Sequence, residues 1–540
     1  MARSLQAVRA EGAAGAYIVT AVSRPQPAPA PSPHQADARH AARSGAVQIL
    51  TILAQAALAG TQVVFARLYG KPIYGAYLSA LAILEVLYRS GSGGAEKAML
   101  RFVAAARAAG DEDGVRTALG NGLRLTLAVA GLYAVVLLLA APAIASAFDR
   151  SALAPALRIL APLPLFVGAL AVLIQASLAA RITAANFYVR GLAEPLLLLT
   201  AGVVAWALGG GLRALALAHL TAAGLTLALG VVVVRRVLRP EETRHLARTR
   251  RIDGFVRFSL PMAGAEMLNA VVQRADIVVL TTLKGVEAAA LYGAAELITR
   301  SIANIRYAFD SIVAGLLSET LHLGEMDRLR YNLRLTTRWV VSVAAPFAVT
   351  VIVLRADLLA LLFGSAYVSG AAILLALSAG HFVNGSLGLT NWVLVVSGYS
   401  RLNLINNLVA AAFNVPAAFF LIDRFGIVGA SYATFLSTLL LQLLIVAEAA
   451  WLKKVHPFSL GLLKPIAAAL GAGAVEWALR GVLGSPGARV PALVAAGAVA
   501  YALLLAALGL PPEERAMVRR ARHALTARLT RGRTGRDSIG

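Results

Sequence analysis

Apolar stretches of about 20 residues or more recur along most of the chain, and short polar or basic segments separate them. An α-helix of that length crosses a hydrocarbon core of about 30 Å. Inside lipid every backbone polar group must find an internal partner, so these stretches are expected to be helices. The pattern predicts about fourteen membrane-spanning helices. They lie near 46–66, 73–97, 119–147, 155–179, 188–208, 212–234, 259–281, 287–316, 336–356, 367–397, 402–422, 427–451, 459–479 and 490–510.

Composition supports a membrane protein. The chain has 540 residues, of which 59% are hydrophobic and only 14% are charged, too few polar groups to cover a water-soluble globule of this size. There is no cysteine, which excludes disulfides, thiolate metal sites and cysteine nucleophiles. No P-loop motif and no metal-ligand spacing of histidines is present, so neither a cofactor nor a metal is expected, and no catalytic residue.

The net charge of +23 is concentrated in particular loops. Basic residues gather in 97–118, 235–257 and 318–338 and in the tail after 511, which all fall on one side of a fourteen-span arrangement. This asymmetry is the positive-inside pattern, and it predicts that both termini are cytoplasmic. Topology explains the charge, so nucleic acid is not expected as a partner.

A constant offset relates the two halves of the chain. Gly70 and Gly285 are separated by 285 − 70 = 215 positions, as are Tyr77 and Tyr292. The same offset aligns the predicted span boundaries without a gap, which indicates a duplicated six-helix unit. An even number of spans gives both copies the same orientation, so the fold class is an all-α polytopic membrane protein with two parallel six-helix lobes, a pseudo-two-fold axis along the membrane normal and two C-terminal helices.

The resulting domain organisation has six parts. They are a disordered cytoplasmic leader (1–43), a first lobe (44–235), a basic cytoplasmic linker (236–258), a second lobe (259–455), two further spans (456–510) and a basic tail (511–540). In each lobe the repeated glycine is expected in a tight external turn, where a positive φ is tolerated. Tyr77 and Tyr292 are expected near the membrane interface, which favours aromatic rings.

Charged residues inside predicted spans are costly and need a partner, water or a function. Three pairs stand four residues apart on one helical face. They are Glu85 with Arg89, Glu296 with Arg300, and Arg306 with Asp310. One interpretation is self-neutralising pairs that ease insertion. The other uses the offset: since 300 − 85 = 215, Glu85 and Arg300 occupy equivalent positions and could form a latch across a central cleft.

The seventh span carries Glu266, Arg274 and Asp276. Arg274 and Asp276 do not share a face, so Arg274 requires an acceptor from a neighbouring helix or a ligand. We expect Arg274, Arg300 and Arg306 to line a cavity that binds phosphate, because a guanidinium stays charged and offers forked donors. Two further candidates, at cytoplasmic helix ends where substrate could first bind, are Arg101 and Arg181. Glu85, Arg89, Glu266, Asp276, Glu296 and Asp310 are the gating or ion-pair candidates.

Three motifs carry a family resemblance. They are ARLYGKPIYGAY, RADIVVLTTLKGVEAAALYGAAELI and SGYSRLNLINNLVAAAFNVPAAFFLIDRFGIVGASYAT. With the helix pattern, they resemble the polysaccharide flippases of the MATE-like MOP exporter superfamily. The resemblance implies a transporter, not an enzyme, that moves undecaprenyl-diphosphate-linked oligosaccharide across the bacterial inner membrane for polysaccharide biosynthesis. It implies membrane lipids, glycan polymerase and other envelope-assembly proteins as partners.

Two other functions remain open from the residues. A multidrug antiporter of the same architecture would favour cavity carboxylates that bind cations, and Glu266 and Asp276 are candidates. A polytopic glycan-assembly enzyme would need a large external loop or an acidic metal motif, and neither is visible.

Overall fold

A computed structural model describes residues 33–148, 150–180, 182, 185–482 and 484–509. The chain divides into two units, 1–49 and 50–540, and all the contacts described below lie in the second. The tail expected at 511–540 lies outside the described residues, as does most of the leader. The first helix begins at Pro33, within the range predicted for the leader.

Helices account for nearly all of the described chain. The first half contains α1 (Pro33–Ser90), α2 (Ala95–Ala108), α3 (Glu112–Ala147), α4 (Leu153–Leu160), α5 (Leu163–Ala179), α6 (Glu194–Ala207), α7 (Leu212–Val237) and α8 (Pro240–Thr243). The second half contains α9 (Phe255–Lys284), α10 (Val286–His322), α11 (Met326–Val353), α12 (Arg355–Phe363), α13 (Ala371–Leu387), α14 (Thr390–Val396), α15 (Ser400–Phe425), α16 (Ile427–Lys453), α17 (Leu463–Leu479) and α18 (Pro486–Ala507). A π-helix covers Asn186–Ala193, and short 3₁₀ turns cover Leu246–Arg248, Ser365–Gly370 and Leu460–Leu462.

Ten segments of the described chain are long and apolar enough to cross a membrane. The two parts of α1 on either side of Gly70, together with α9 and α10, correspond to the other four predicted spans. These remaining helices carry the charged residues discussed below. The fold class is therefore confirmed as an all-α, multi-pass membrane protein.

The second predicted span is broken, and glycine explains the break. The turn between α1 and α2 contains Gly93 and Gly94, both with a positive φ that disfavours any side chain. A Cβ on Gly94 would lie 2.0 Å from the carbonyl oxygen of Ser259 in α9. Two polypeptide backbones therefore meet here, and only glycine leaves the room for that approach.

The duplication is visible in backbone geometry. Gly70 (φ 69°, ψ 172°) and Gly285 (φ 84°, ψ 176°) share an unusual conformation at the same point of each repeat. The helices also pack in the same scheme. Helix α5 contacts α2, α3 and α7 in the first half, and α13 contacts α10, α11 and α16 in the second. Both glycines have the expected positive φ.

Matching residues of the two repeats meet where α1 and α10 cross. A Cβ on Gly75 would lie 3.2 Å from the Cβ of Ala290, and 290 − 75 = 215. A Cβ on Gly293 would lie 2.5 Å from Cδ1 of Leu78, and 293 − 78 = 215. Residue numbers rise together along both helices, so the repeats run in parallel, as the even number of spans per repeat predicts.

The ends of the lobes near Gly70 and Gly285, here called the opposite face, are closed by one apolar core. Phe65 and Tyr74 from α1 pack in it with Leu280 from α9. Tyr77 and Tyr292 also belong to this core and are fully buried. Their expected location at the membrane interface is therefore wrong: the rings fill the junction between lobes.

The other ends of the lobes, called the basic face, contain the linker. This segment folds back onto the first lobe. The fully buried Glu242 accepts hydrogen bonds from Nη2 of Arg107 (2.8 Å) and the backbone N–H of Arg239 (2.9 Å). The side chain of Asn121 in α3 donates to the carbonyl of Arg250 (2.7 Å). The linker is therefore a folded part of the first lobe as well as a connection.

We expect Glu242→Gln to release this linker, because a neutral amide binds the Arg107 guanidinium more weakly and leaves it partly unpaired. The free energy of unfolding should fall by about 1 to 3 kcal/mol. Trypsin should cleave faster within 235–257, which mass spectrometry of the fragments would detect. The exposed neighbour Glu241 provides the matched control, Glu241→Gln. Equal cleavage of both variants would contradict the anchoring role.

Helices α17 and α18 pack together and against α11 and α12. On the side chain of Asp357 in α12, Nε of Arg480 donates to Oδ2 (2.8 Å) and Nη1 of Arg489 to Oδ1 (3.0 Å). In the apolar part of the same contact, the Thr350 hydroxyl donates to the buried Glu476 (2.7 Å). The last two helices are thus attached to the second lobe.

Candidate functional site

Five charged side chains from α1, α9 and α10 form one continuous chain of ion pairs between the lobes. Glu85 lies 2.9 Å from Arg89 on its own helix and 2.5 Å from Arg274 on α9. Arg274 also lies 3.5 Å from Glu296, which pairs with Arg300 one turn later on α10. The signs alternate along this set, called the charge chain, and an arginine stands at each end.

Burial varies along the charge chain. The three inner side chains are the least exposed, with Glu85 at 9%, Glu296 at 13% and Arg274 at 15%. The two terminal guanidiniums are more open, with Arg89 at 31% and Arg300 at 42%. Three arginines and two glutamates leave a formal charge of +1. A ligand would therefore reach the two ends first, and the excess charge favours an anion.

The expected latch between Glu85 and Arg300 does not form in the described residues. Glu85 instead pairs with Arg274, so the acidic residue does bridge to the second lobe but with a different arginine. The guanidinium of Arg300 is taken by Glu296 on the same face of α10. The acceptor that Arg274 was expected to need comes from neighbouring helices, and all three expected i, i+4 pairs also form.

Arg306 and Asp310 lie apart from the charge chain. Their closest side-chain atoms are 4.0 Å apart, and each has a second partner near the break between α13 and α14. Arg306 donates to the carbonyl of Gly388 (3.2 Å), and the indole of Trp392 donates to Asp310 (3.0 Å). These contacts hold the two residues against α14. Trp392 was not predicted as a site residue. Its contact depends on the break between α13 and α14, and the continuous apolar pattern of 367–397 gives no sign of that break.

A second polar contact between α2 and α9 lies toward the basic face. Lys97 and Glu266 are 3.2 Å apart, and the Arg101 guanidinium lies 4.9 Å from the centre of the Phe258 ring. Cation–π contacts of this kind are attractive. Arg101 and Glu266 therefore join the start of α9 to the first lobe. Arg181 lies outside the described residues.

Asp276 is buried in a separate hydrogen-bond network. The hydroxyl of Tyr292 donates to its carboxylate (2.5 Å) and lies 3.0 Å from the hydroxyl of Thr434. The first repeat has the corresponding tyrosine contact, Tyr77 to His219 (2.6 Å), and 434 − 219 = 215. Its residue equivalent to Asp276 is Thr61, since 276 − 61 = 215. The lobes thus share a tyrosine bond, but only the second has the carboxylate.

This asymmetry predicts unequal effects of removing the two tyrosine hydroxyls. Tyr292→Phe should lower the free energy of unfolding by about 1.5 to 3 kcal/mol, since it deprives a buried carboxylate of a donor. Tyr77→Phe removes a bond to the imidazole of His219, with no carboxylate involved, and should cost about 0.5 to 1.5 kcal/mol. Thermal unfolding of the two purified variants measures the difference. A larger loss in Tyr77→Phe would contradict the assignment.

The family is decided by sequence comparison. A family model described as "Polysaccharide biosynthesis protein" matches residues 64–372, more than half of the chain. The chain belongs to this polysaccharide biosynthesis protein family. The matched range includes all five members of the charge chain. A search of the curated proteins finds no match.

Solved structures resemble this polysaccharide biosynthesis protein in fold. "Lipid II flippase MurJ, inward closed conformation" aligns with a TM-score of 0.71 at 12% identity, over 84% of this chain and 97% of that one. An inward-facing multidrug resistance MATE family transporter of the MOP superfamily aligns with a TM-score of 0.62 at 14% identity, over 75% of this chain and 94% of that one. At these identities the alignments establish the shared two-lobe fold.

The family description concerns polysaccharide biosynthesis, and the two solved structures, by their titles a flippase and a transporter, share the fold of this chain. The expected membership of a polysaccharide biosynthesis protein family is confirmed. The described residues contain no group of three or more histidine, aspartate or glutamate side chains that could hold a metal.

Proposed function

We propose that this protein flips undecaprenyl-diphosphate-linked oligosaccharide from the cytoplasmic to the outer leaflet of a bacterial inner membrane. The observation that carries the proposal is the charge chain, which joins the lobes and ends in a partly exposed arginine on each of them. Guanidinium groups bind phosphate oxygens through charge-assisted, forked hydrogen bonds. Arg89 and Arg300 are therefore the proposed contacts of the diphosphate.

The inner residues of the charge chain have a different proposed role. Arg274 is shared by Glu85 and Glu296, so its charge is already matched before a substrate arrives. It connects the lobes and holds the two carboxylates, while a bound diphosphate competes with those carboxylates for Arg89 and Arg300.

Alternating access is the proposed mechanism. A sugar-diphosphate headgroup does not cross hydrocarbon unaided, because its charges and hydroxyls would lose their water. The packed core at the opposite face supports a state closed on that side. Loading from the basic face would require the contact between Lys97 and Glu266 to separate. Opening of the core at the opposite face, with that contact formed, would expose the headgroup to the other leaflet while the polyprenyl tail stays in lipid.

Orientation follows from the positive-inside rule. We place the basic face and both termini in the cytoplasm. Glycan polymerase and other envelope-assembly proteins are the proposed partners, since they would receive the transferred glycan.

A cation-coupled multidrug antiporter is the second candidate. Asp276 favours it, because a buried carboxylate is suited to bind a cation or a proton. Its bond to Tyr292 and the excess of arginine in the charge chain favour the flippase.

Deletion of the gene, followed by measurement of lipid-linked glycans in each leaflet, tests the function. The deletion strain should accumulate the glycan in the cytoplasmic leaflet, and the intact chain should reverse this. Arg300→Gln should fail to restore transfer. Arg328→Gln, which removes an exposed arginine paired with Glu325, is the matched control and should restore it. Normal distribution of the glycan with altered drug resistance would instead indicate the antiporter.

A further inference from the structure

A pair of basic side chains at the basic face, far from the charge chain in sequence, has unmatched hydrogen-bond donors. Arg334 lies near the start of α11, and His456 lies in the extended segment between α16 and the 3₁₀ turn at Leu460–Leu462. Nη2 of Arg334 is 2.9 Å from Nε2 of His456. Two groups that can both be cationic are thus in direct contact.

The contact determines which imidazole nitrogen carries the proton. A guanidinium has donors and no acceptor, so Nε2 of His456 must be the acceptor of this hydrogen bond. The proton then lies on Nδ1, which becomes a donor. Nδ1 of His456 and Nε of Arg334 are both buried, and neither has a partner among the described residues. Buried donors without acceptors are rare in folded proteins.

The surroundings are basic and well anchored. Arg330, one turn before Arg334, donates from Nε to the carbonyl of Lys454 (3.0 Å). Lys454 has a left-handed backbone (φ 54°), which turns the chain from α16 into the segment that carries His456. Within the described residues, neither Arg334 nor His456 has an ion pair with a carboxylate. Neighbouring contacts therefore hold Arg334 and His456 in place, the site is positively charged, and two of its N–H donors lack an acceptor.

We propose that Arg334 and His456 bind a phosphate-bearing anion at the basic face. A phosphate oxygen supplies what the two N–H donors lack, and the guanidinium supplies charge. The proposed topology places this site at the cytoplasmic leaflet, where anionic headgroups attract basic residues. An anionic phospholipid is therefore the expected source, and soluble phosphate is the other. This site differs from the charge chain and does not depend on transport.

Binding can be measured on the full-length protein in nanodiscs by native mass spectrometry. Phosphatidylglycerol should be retained in preference to phosphatidylcholine with the same acyl chains. Arg334→Gln should weaken this retention about tenfold, a loss in the range of one or two charge-assisted hydrogen bonds. Arg328→Gln removes the same charge from the same helix and should retain the lipid as the wild type does.

A second variant separates hydrogen bonding from charge. Arg334→Lys keeps the positive charge but loses the Nε donor, and it should also bind several-fold more weakly. Three results would each overturn the proposal. They are lipid binding by Arg334→Lys as strong as that of the wild type, a loss of binding in Arg328→Gln as large as that in Arg334→Gln, and equal retention of phosphatidylglycerol and phosphatidylcholine. Addition of inorganic phosphate distinguishes the sources. Displacement of phosphatidylglycerol at millimolar phosphate would assign the site to the soluble anion, and no displacement would assign it to lipid.

Discussion

Arg274→Gln is expected to lower the free energy of unfolding by about 3 to 5 kcal/mol, because it removes the shared partner of two buried carboxylates. Glu85 would keep only Arg89, and Glu296 would keep only Arg300. Arg274 is the only member of the charge chain on α9, so its replacement also removes the ion pair between α9 and Glu85 of the first lobe. We therefore expect loss of transport in cells, together with a lower unfolding temperature of the purified protein.

Two further variants test whether the loss arises from unpaired carboxylates. The double variant Arg274→Gln, Glu85→Gln should regain part of the stability, because Glu296 still has Arg300. Arg89→Gln removes a more exposed arginine from the same network and should cost less than about 1 kcal/mol of stability. An unchanged unfolding temperature in Arg274→Gln would contradict the proposed role of the charge chain.

Gly75→Ala is expected to abolish transport while leaving each lobe folded. The added Cβ would lie 1.9 Å from the carbonyl oxygen of Val286, a distance that no real contact allows, so α1 and α10 must move apart. The contact is between lobes, so the helices within each lobe keep their own packing. The expected product is a protein held open at the opposite face.

The absence of cysteine makes the opening measurable. The Ser79 side chain is buried between the lobes, 2.8 Å from the hydroxyl of Thr281. A single Ser79→Cys should react slowly with a membrane-impermeant thiol reagent in the wild-type background and quickly beside Gly75→Ala. Gly60→Ala on the same helix is the control, since its Cβ meets nothing within 4 Å. Equal labelling rates of Ser79→Cys beside Gly75→Ala and beside Gly60→Ala would contradict the proposed clash between α1 and α10.

Comparison of the two repeats shows which features of the fold the sequence predicts. The offset of 215 positions placed Gly70 and Gly285 at the same point of each repeat, and the structure gives both the expected positive φ. The contact between Gly75 and Ala290, which obeys the same offset, was found only in the structure. A duplication aligns equivalent positions by simple counting, and a parallel two-fold axis then brings matching residues together. The offset predicted the wrong partner for Glu85, because the lobes differ in their charges: Glu296 is matched in the first repeat by Leu81, since 296 − 81 = 215.

The sequence by itself determined the helical membrane fold, the doubled architecture and the basic side of the molecule, since hydrophobic length, repeat spacing and loop charge are linear properties of the chain. Only the tertiary structure decided that Arg274 links Glu85 to Glu296, that Tyr77 and Tyr292 are buried between the lobes, and that the linker folds onto α3. Ion pairs and hydrogen bonds act over a few ångströms. Their partners depend on how distant helices pack, which no spacing along the chain specifies.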